Sequence, residues 1–167
     1  SMLHARLIPP EGGETEFADM RAAWDALPAK TQAEIKDLVT EHSLIFSRGK
    51  LGFTDYTEQE RRDFAPVPQR LVRWHPGAQR HSIYLSSHIG RILGWPDPEA
   101  MALIRWLEEH ATQRHFVYAH RWTQWDLVIW DNRSTMHRAR PYADKTFARD
   151  MRRVTLTDVA PTLEQAA

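Results

Sequence analysis

What most limits how this chain can fold is a succession of short apolar runs in its C-terminal part. Phe116 to Trp122, Asp126 to Trp130, Met136 to Ala139 and Asp150 to Thr157 each read as a strand, with short links between them. With helices inserted elsewhere, that pattern fits an all-β sandwich or an α+β fold and excludes an alternating βαβ chain. The last of these runs also carry the most distinctive residues. Leu127-Val128-Ile129-Trp130 leads into Asp131-Asn132-Arg133-Ser134-Thr135-Met136-His137, and Arg149 and Arg153 follow four residues apart. Side chains at i and i+4 of a strand share a face. One metal-binding nitrogen and two anion-binding forks can therefore converge on a small acidic ligand.

The rest of the chain supplies the frame. Ser1 to Ile8 alternates like a strand, and Pro9-Pro10-Glu11-Gly12-Gly13 is a turn signal. Strand one begins without a preceding turn or cap, which points to Ser1-Met2 as an added scar or to a start inside a larger protein. Glu14 to Ala18 reads as a short strand. Asp19 is a suitable N-cap for a helix with Met20, Ala23, Trp24 and Leu27 on one face. A second helix restarts at Pro28, and its spacing continues through Ile35, Leu38, Val39 and His42. Ser43 to Ser47 is read as a strand. Residues 48–66 form a polar, lid-like excursion with one short helix, marked by the capping box Thr57-x-x-Glu60; a solvated surface loop is the alternative. Gln69 to His75 and Ser82 to Leu85 read as strands around a Pro76-Gly77 turn. Trp95-Pro96-Asp97-Pro98 opens a helix whose apolar face is Ala100, Leu103, Ile104, Leu107 and Ala111. One domain is expected over residues 1–158, with a tail at 159–167.

Composition excludes several functions. Lys plus Arg and Asp plus Glu both number 22, so there is no basic excess for general nucleic-acid or membrane-surface binding. The absence of cysteine removes disulfides, thiolate metal sites and cysteine nucleophiles. There is no apolar run long enough for a transmembrane helix and no signal-peptide pattern, so a cytoplasmic location is expected. No phosphate loop, dinucleotide fingerprint, nucleophile elbow or H-E-x-x-H helix is present.

The stretch W-D-N-R-x-x-x-H, a dozen residues, then R-x-M-x-R resembles the C-terminal signature of the taurine/2,4-dichlorophenoxyacetate dioxygenase family. Gly12-Gly13-Glu14-Thr15-Glu16-Phe17-Ala18 resembles its G-G-x-T-x-x-A segment. Tyr84-Leu85-Ser86-Ser87-His88 and Glu109-His110-Ala111-Thr112 are similar to its 2,4-dichlorophenoxyacetate branch. The resemblance covers residues 1–158. It implies a double-stranded β-helix (jelly roll), mainly β with helices packed outside, and an Fe(II)- and 2-oxoglutarate-dependent dioxygenase. Such an enzyme uses O2 to hydroxylate a small carboxylate- or sulfonate-bearing substrate and releases succinate and CO2. By the same resemblance His137 is the distal histidine ligand of the iron. Arg149, assisted by Thr15, holds the far carboxylate of 2-oxoglutarate. Arg153 holds the acidic group of the substrate, Trp130 walls the site, and His88 falls, on a looser match, in the substrate pocket.

One departure limits what the chain alone is expected to do. The family's other two iron ligands come from a His-x-Asp pair upstream of the G-G-x-T segment. None of the nine histidines here is followed two places later by Asp or Glu. The chain therefore resembles a C-terminal portion with its jelly roll incomplete on the N-terminal side. It is expected to show little turnover, and its open strand edges would favour a homo-oligomer or partner contact. Other readings stay open. One is a non-catalytic, truncated or degenerate domain that keeps the anion site without holding iron. Another is a plain β-sandwich binding module. Taken singly, Arg149 and Arg153 read as solvated charges on an edge strand, Thr15 as a strand former, and His88 as structural. Strand parity also conflicts with the resemblance. Val154 and Leu156 share parity with Arg152, so burying the apolar side would expose Arg149 and Arg153.

Overall fold

A computed structural model describes residues 1–165; residues 166–167, the end of the expected tail, lie outside the described residues. The chain opens with β1 (Met2–Leu7), the turn at Gly12-Gly13 and β2 (Thr15–Asp19). Asp19 then caps α1 (Met20–Asp25), its carboxylate accepting the backbone N–H of Arg21 at 2.9 Å and of Ala22 at 3.2 Å. Such a cap contributes about 1 kcal/mol. The second helix, α2 (Ala29–Ile35), is shorter than its sequence periodicity suggests. Val39 to His42 instead form β3, because their backbone groups pair with two further strands. Nor is Ser43 to Ser47 a strand. The Ser43 hydroxyl accepts the N–H of Phe46 at 3.1 Å and starts α3 (Leu44–Gly49). The capping box at Thr57 and Glu60 opens α4 (Glu58–Asp63) inside the 48–66 excursion.

The middle of the chain alternates short strands with one long helix: β4 (Val67–Arg70), β5 (Val72–His75), β6 (Arg80–Ile83), β7 (Ile89–Ile92) and α5 (Asp97–Ala111). Four strands follow: β8 (Val117–His120), β9 (Leu127–Ile129), β10 (Thr135–Ala139) and β11 (Asp150–Val154). All the pairings are antiparallel. They form three three-stranded sheets, β11-β1-β9, β10-β2-β8 and β4-β3-β7, and the β5-β6 hairpin. Only β5-β6 is a local hairpin; the three sheets join strands distant in sequence. The fold is thus mainly β with inserted helices.

The core lies where α1 and α5 meet the sheets. Ala100, Ile104, Leu107 and Ala111 of α5 are buried, as their spacing predicts, and pack with Met20, Trp24, Ile83 and Ile92. Each large side chain buried in this way contributes about 1.5–3 kcal/mol. Ala18, Met136 and Val117 lie opposite one another in the β10-β2-β8 sheet and belong to this core. Alternation then puts Phe17, His137, Tyr118, Thr15 and His120 on the sheet's other face, and a one-residue slip would exchange the two sets. The segment expected to be a tail docks on β4. Thr162 is buried, and its hydroxyl accepts the N–H of Arg70 at 3.0 Å.

Candidate small-anion site

The site starts from a turn that braces itself. After β9, the Asp131 carboxylate accepts the backbone N–H of Arg133 at 2.9 Å and its guanidinium at 2.7 Å. It also lies 2.9 Å from His75 Nε2. Because His75 Nδ1 accepts the N–H of Ala78 at 3.0 Å, the neutral ring carries its proton on Nε2 and donates it to Asp131. The Arg133 fork, with His75 and the Arg133 N–H, holds the Asp131 carboxyl far below the usual carboxylate range. Trp130 Nε1 donates to Asn132 Oδ1 at 2.7 Å, which fixes the indole. The W-D-N-R sequence is therefore a rigid corner that delivers the chain from β9 into β10.

On β10, His137 stands opposite Phe17. Its ring centroid lies 4.9 Å from that of Trp130 and 6.3 Å from that of Phe17. The residue keeps an exposed edge, but the ring is crowded from the aromatic side. This desolvation, followed by the charge of Arg153, pushes the imidazole below its ordinary pKa. At neutral pH the ring is uncharged, the form that binds metal.

Arg149 lies one residue before β11, beside the Gly12-Gly13 turn. One of its terminal nitrogens donates to the Gly13 carbonyl at 3.4 Å, while its Nε is buried with no partner. Gly13 has φ +73°, and a Cβ there would stand 3.2 Å from Pro9 Cγ and 3.6 Å from Arg149 Nε. Glycine is thus required both by the left-handed backbone and by the approach of the arginine. Two residues on, the buried Thr15 hydroxyl accepts Trp122 Nε1–H at 3.0 Å, which leaves its own proton free to donate.

Arg153 pairs across from Leu3 on β1, so it shares a sheet face with Leu3 and Val128. The opposite face holds Val154, Met2 and Ile129, of which Val154 is 51% and Ile129 67% exposed. The apolar parity of β11 is therefore the open one, contrary to the burial expected from pattern alone. Arg153 is itself exposed, on the side where its charge reaches His137.

His137, Trp130 and Arg153 are thus brought together, and Thr15 shares the His137 face of its sheet. Arg149 sits on the turn that precedes Thr15. His88 lies elsewhere: its Nδ1 is 2.7 Å from Ser47 Oγ, and its ring contacts none of the His137 group. Phe17 and Trp122 complete the surroundings. Sequence reasoning missed Phe17, although its place two residues after Thr15 on one strand put it on the same face. Trp122, the end of the strand expected from Phe116, joins the site only through its bond to Thr15 across the sheet.

Among the described residues no group of three or more His, Cys, Asp or Glu side chains is arranged to hold a metal ion. His137 is a single donor facing aromatic rings, so the residues present do not by themselves fit an iron centre. A carboxylate fits better, because the buried Arg149 Nε lacks an acceptor and the Thr15 hydroxyl has a proton to give.

The fold defines a mainly-β protein that brings His137, Trp130 and Arg153 together and sets Arg149 beside the Gly12-Gly13 turn. The chain belongs to the taurine catabolism dioxygenase TauD, TfdA family, whose profile matches residues 1–155. It is 49% identical over 160 residues to the α-ketoglutarate-dependent 2,4-dichlorophenoxyacetate dioxygenase of Cupriavidus pinatubonensis, a match covering 96% of this chain and 55% of that protein. It is 38% identical over 148 residues to the (S)-phenoxypropionate/α-ketoglutarate-dioxygenase of Sphingobium herbicidovorans, covering 85% of this chain and 52% of that one. The crystal structure of AAD-2 in complex with Mn(II) and N-oxalylglycine superposes with a TM-score of 0.92 at 59% identity, over 96% of this chain and 64% of that one. The chain thus spans about half the length of the curated relatives it matches. No helix among the described residues is long and apolar enough to cross a membrane.

Proposed function

We propose that this chain supplies the anion-anchoring half of an Fe(II)- and 2-oxoglutarate-dependent dioxygenase. The enzyme hydroxylates a small carboxylate- or sulfonate-bearing substrate with O2 and releases succinate and CO2. The observation that carries this reading is the buried, unpartnered Arg149 Nε beside the Gly13–Thr15 segment. There Arg149 and the Thr15 hydroxyl take the far carboxylate of 2-oxoglutarate. Arg153 takes the acidic group of the substrate, Trp130 closes one wall, and His137 offers its neutral nitrogen to the metal. The family relationship and the names of the relatives, which act on 2,4-dichlorophenoxyacetate and phenoxypropionate, support the assignment. The chemistry done by these residues is binding and orientation, a large part of what a protein adds to cofactor chemistry. We read the sheets as part of a double-stranded β-helix in a cytoplasmic enzyme. The edge strands β9 and β11, with exposed Leu127, Ile129 and Val154, support association with a further polypeptide layer.

A second reading, a non-catalytic domain that keeps the anion site, is favoured by the single metal donor. Titrating N-oxalylglycine into the isotope-labelled chain tests the shared part. The Arg149 Nε–H resonance should shift to saturation, and Arg149→Ala should abolish binding; an unmoved resonance refutes the anion site. The two readings separate in a protein that joins these residues to the remaining length of a relative. There His137→Ala should abolish Fe(II)-dependent succinate formation, and Arg153→Ala should uncouple succinate from product more than it weakens 2-oxoglutarate binding. Continued turnover without His137 refutes the enzyme assignment.

A further inference from the structure

His42 and His88 lie apart from the His137 group, and one placement of protons satisfies every hydrogen bond of the network they share. The Thr40 hydroxyl gives its only proton to the Gln69 carbonyl at 3.2 Å, so toward His42 Nε2, at 3.1 Å, it can only accept. His42 therefore carries its proton on Nε2, and its bare Nδ1 accepts from the Ser86 hydroxyl at 3.1 Å. Ser86 Oγ in turn accepts the backbone N–H of His88 at 3.2 Å. On the other side, the Ser47 hydroxyl donates to the Leu44 carbonyl at 2.9 Å, so it accepts from His88 Nδ1–H at 2.7 Å. The His88 carbonyl accepts the N–H of Ser43, the cap of α3, at 2.8 Å. One residue thus grips the helix at its cap and at its last turn.

Leu44 and Arg48 of that helix, with Phe53, Asp55, Tyr56 and Phe64 of the excursion, wall a cleft of about 260 Å3. Phe53 is 58% exposed and its N–H bonds only back to Arg48. On the far side of the network, the His42 ring stacks on Tyr84 at 5.2 Å, and the buried Arg73 lies over the Tyr84 ring. Arg73 is anchored to Asp158 and Gln165. The chain of contacts therefore runs from the excursion to the docked C-terminal segment.

We propose that His88 is a positioning residue that ties α3, and through it the cleft of the 48–66 excursion, to the β6-β7 connection. Its Nδ1–H is the working atom. The titratable groups that face the pair are His42 and His88 themselves and Tyr84, with Arg73 beyond it. Opposite His42, β4 and β7 present Val67 and Ile89. Glu41 and Arg91 are cross-strand partners one register position away. This inference rests on the bonds of this chain and is independent of the reaction assigned above.

Hydrogen exchange of the backbone amides of Ser47, Lys50 and Phe53 tests it, with α5 amides as the internal reference. In His88→Ala and in Ser47→Ala those amides should exchange roughly fivefold to tenfold faster, as expected for one lost hydrogen bond, with α5 unchanged. His88→Asn places an N–H donor at the Nδ1 position and should restore protection. His88→Gln places it one atom further out and should not. Unchanged exchange in both alanine variants overturns the proposal, as does an Asn variant no better than Ala. Should His88→Ala also loosen α5, Ser47→Ala, which leaves the imidazole in place, decides.

Discussion

Acid should weaken this protein most strongly through His42. Burial, then the charge of His88, lowers its pKa from 6.5 to about 4 in the folded chain. The depressed histidine keeps its full contribution to stability above about pH 6.5, where neither state binds the extra proton. Below that the unfolded chain takes up a proton that the folded chain refuses, and stability falls as the pH drops from about 6.5 toward 4. Near pH 4 the linkage reaches about 3 kcal/mol. The depressed carboxylates Asp19, Asp131 and Asp158 lose their contributions only below the ordinary aspartate value of 3.8, under this window. His81 and His137 act in the same direction as His42, and Glu108, raised by burial, acts against them. The measurement is therefore a difference. Urea unfolding of the parent and of His42→Gln is followed at several pH values between about 7 and 4. The parent should lose about 3 kcal/mol more than the variant, a midpoint difference of roughly 1–2 M urea. Equal losses in the two proteins would refute the burial of an uncharged His42.

Two further perturbations test the frame and the anion turn. Leu107 has no exposed surface, and Leu107→Ala should cost about 2–5 kcal/mol, read as a lowered urea midpoint; an unchanged midpoint would mean that α5 does not close the core. Gly13→Ala forces a Cβ into a left-handed position 3.2 Å from Pro9 Cγ. It should cost about 1–2 kcal/mol and weaken N-oxalylglycine binding through Arg149, whereas unaltered binding would separate the turn from the site.

Local rules were legible wherever one residue type decides a backbone bond. The Asp19 cap, the Thr57–Glu60 box and the apolar face of α5 follow from hydrogen-bond inventory and helical period. The misreadings sit where pairing partners are distant. Ile35, Leu38, Val39 and His42 continue a helical spacing, yet β4 and β7 claim the backbone of Val39 to His42. Ile89–Ile92 passed unnoticed because Gly90 weakens its strand character, although Gly90 is where the Phe46 ring approaches, 3.3 Å from a would-be Cβ. Within the site, His137, Arg149, Arg153 and Thr15 stand in a recognisable motif. The packing of Phe17 on Trp130, at 5.3 Å, and the Trp122–Thr15 bond arise across strands that no local pattern joins.

β11 shows why parity alone misleads at such a site. Burying the apolar side of Arg152-Arg153-Val154-Thr155-Leu156 would turn Val154 and Leu156 inward, and a strand in an isolated two-layer sandwich would do so. Instead Val154 is 51% and Leu156 71% exposed, in line with Ile129 at 67% across β1. Leaving three large apolar side chains in water forgoes on the order of a few kcal/mol. Arg153 lies on the opposite face, where its charge reaches His137. The open stripe also lies on the sheet whose edges, β9 and β11, have no further strand beside them among the described residues. The apolar stripe therefore runs along one face of β11-β1-β9, while the face that carries Arg153 turns its charge toward His137 of the neighbouring sheet.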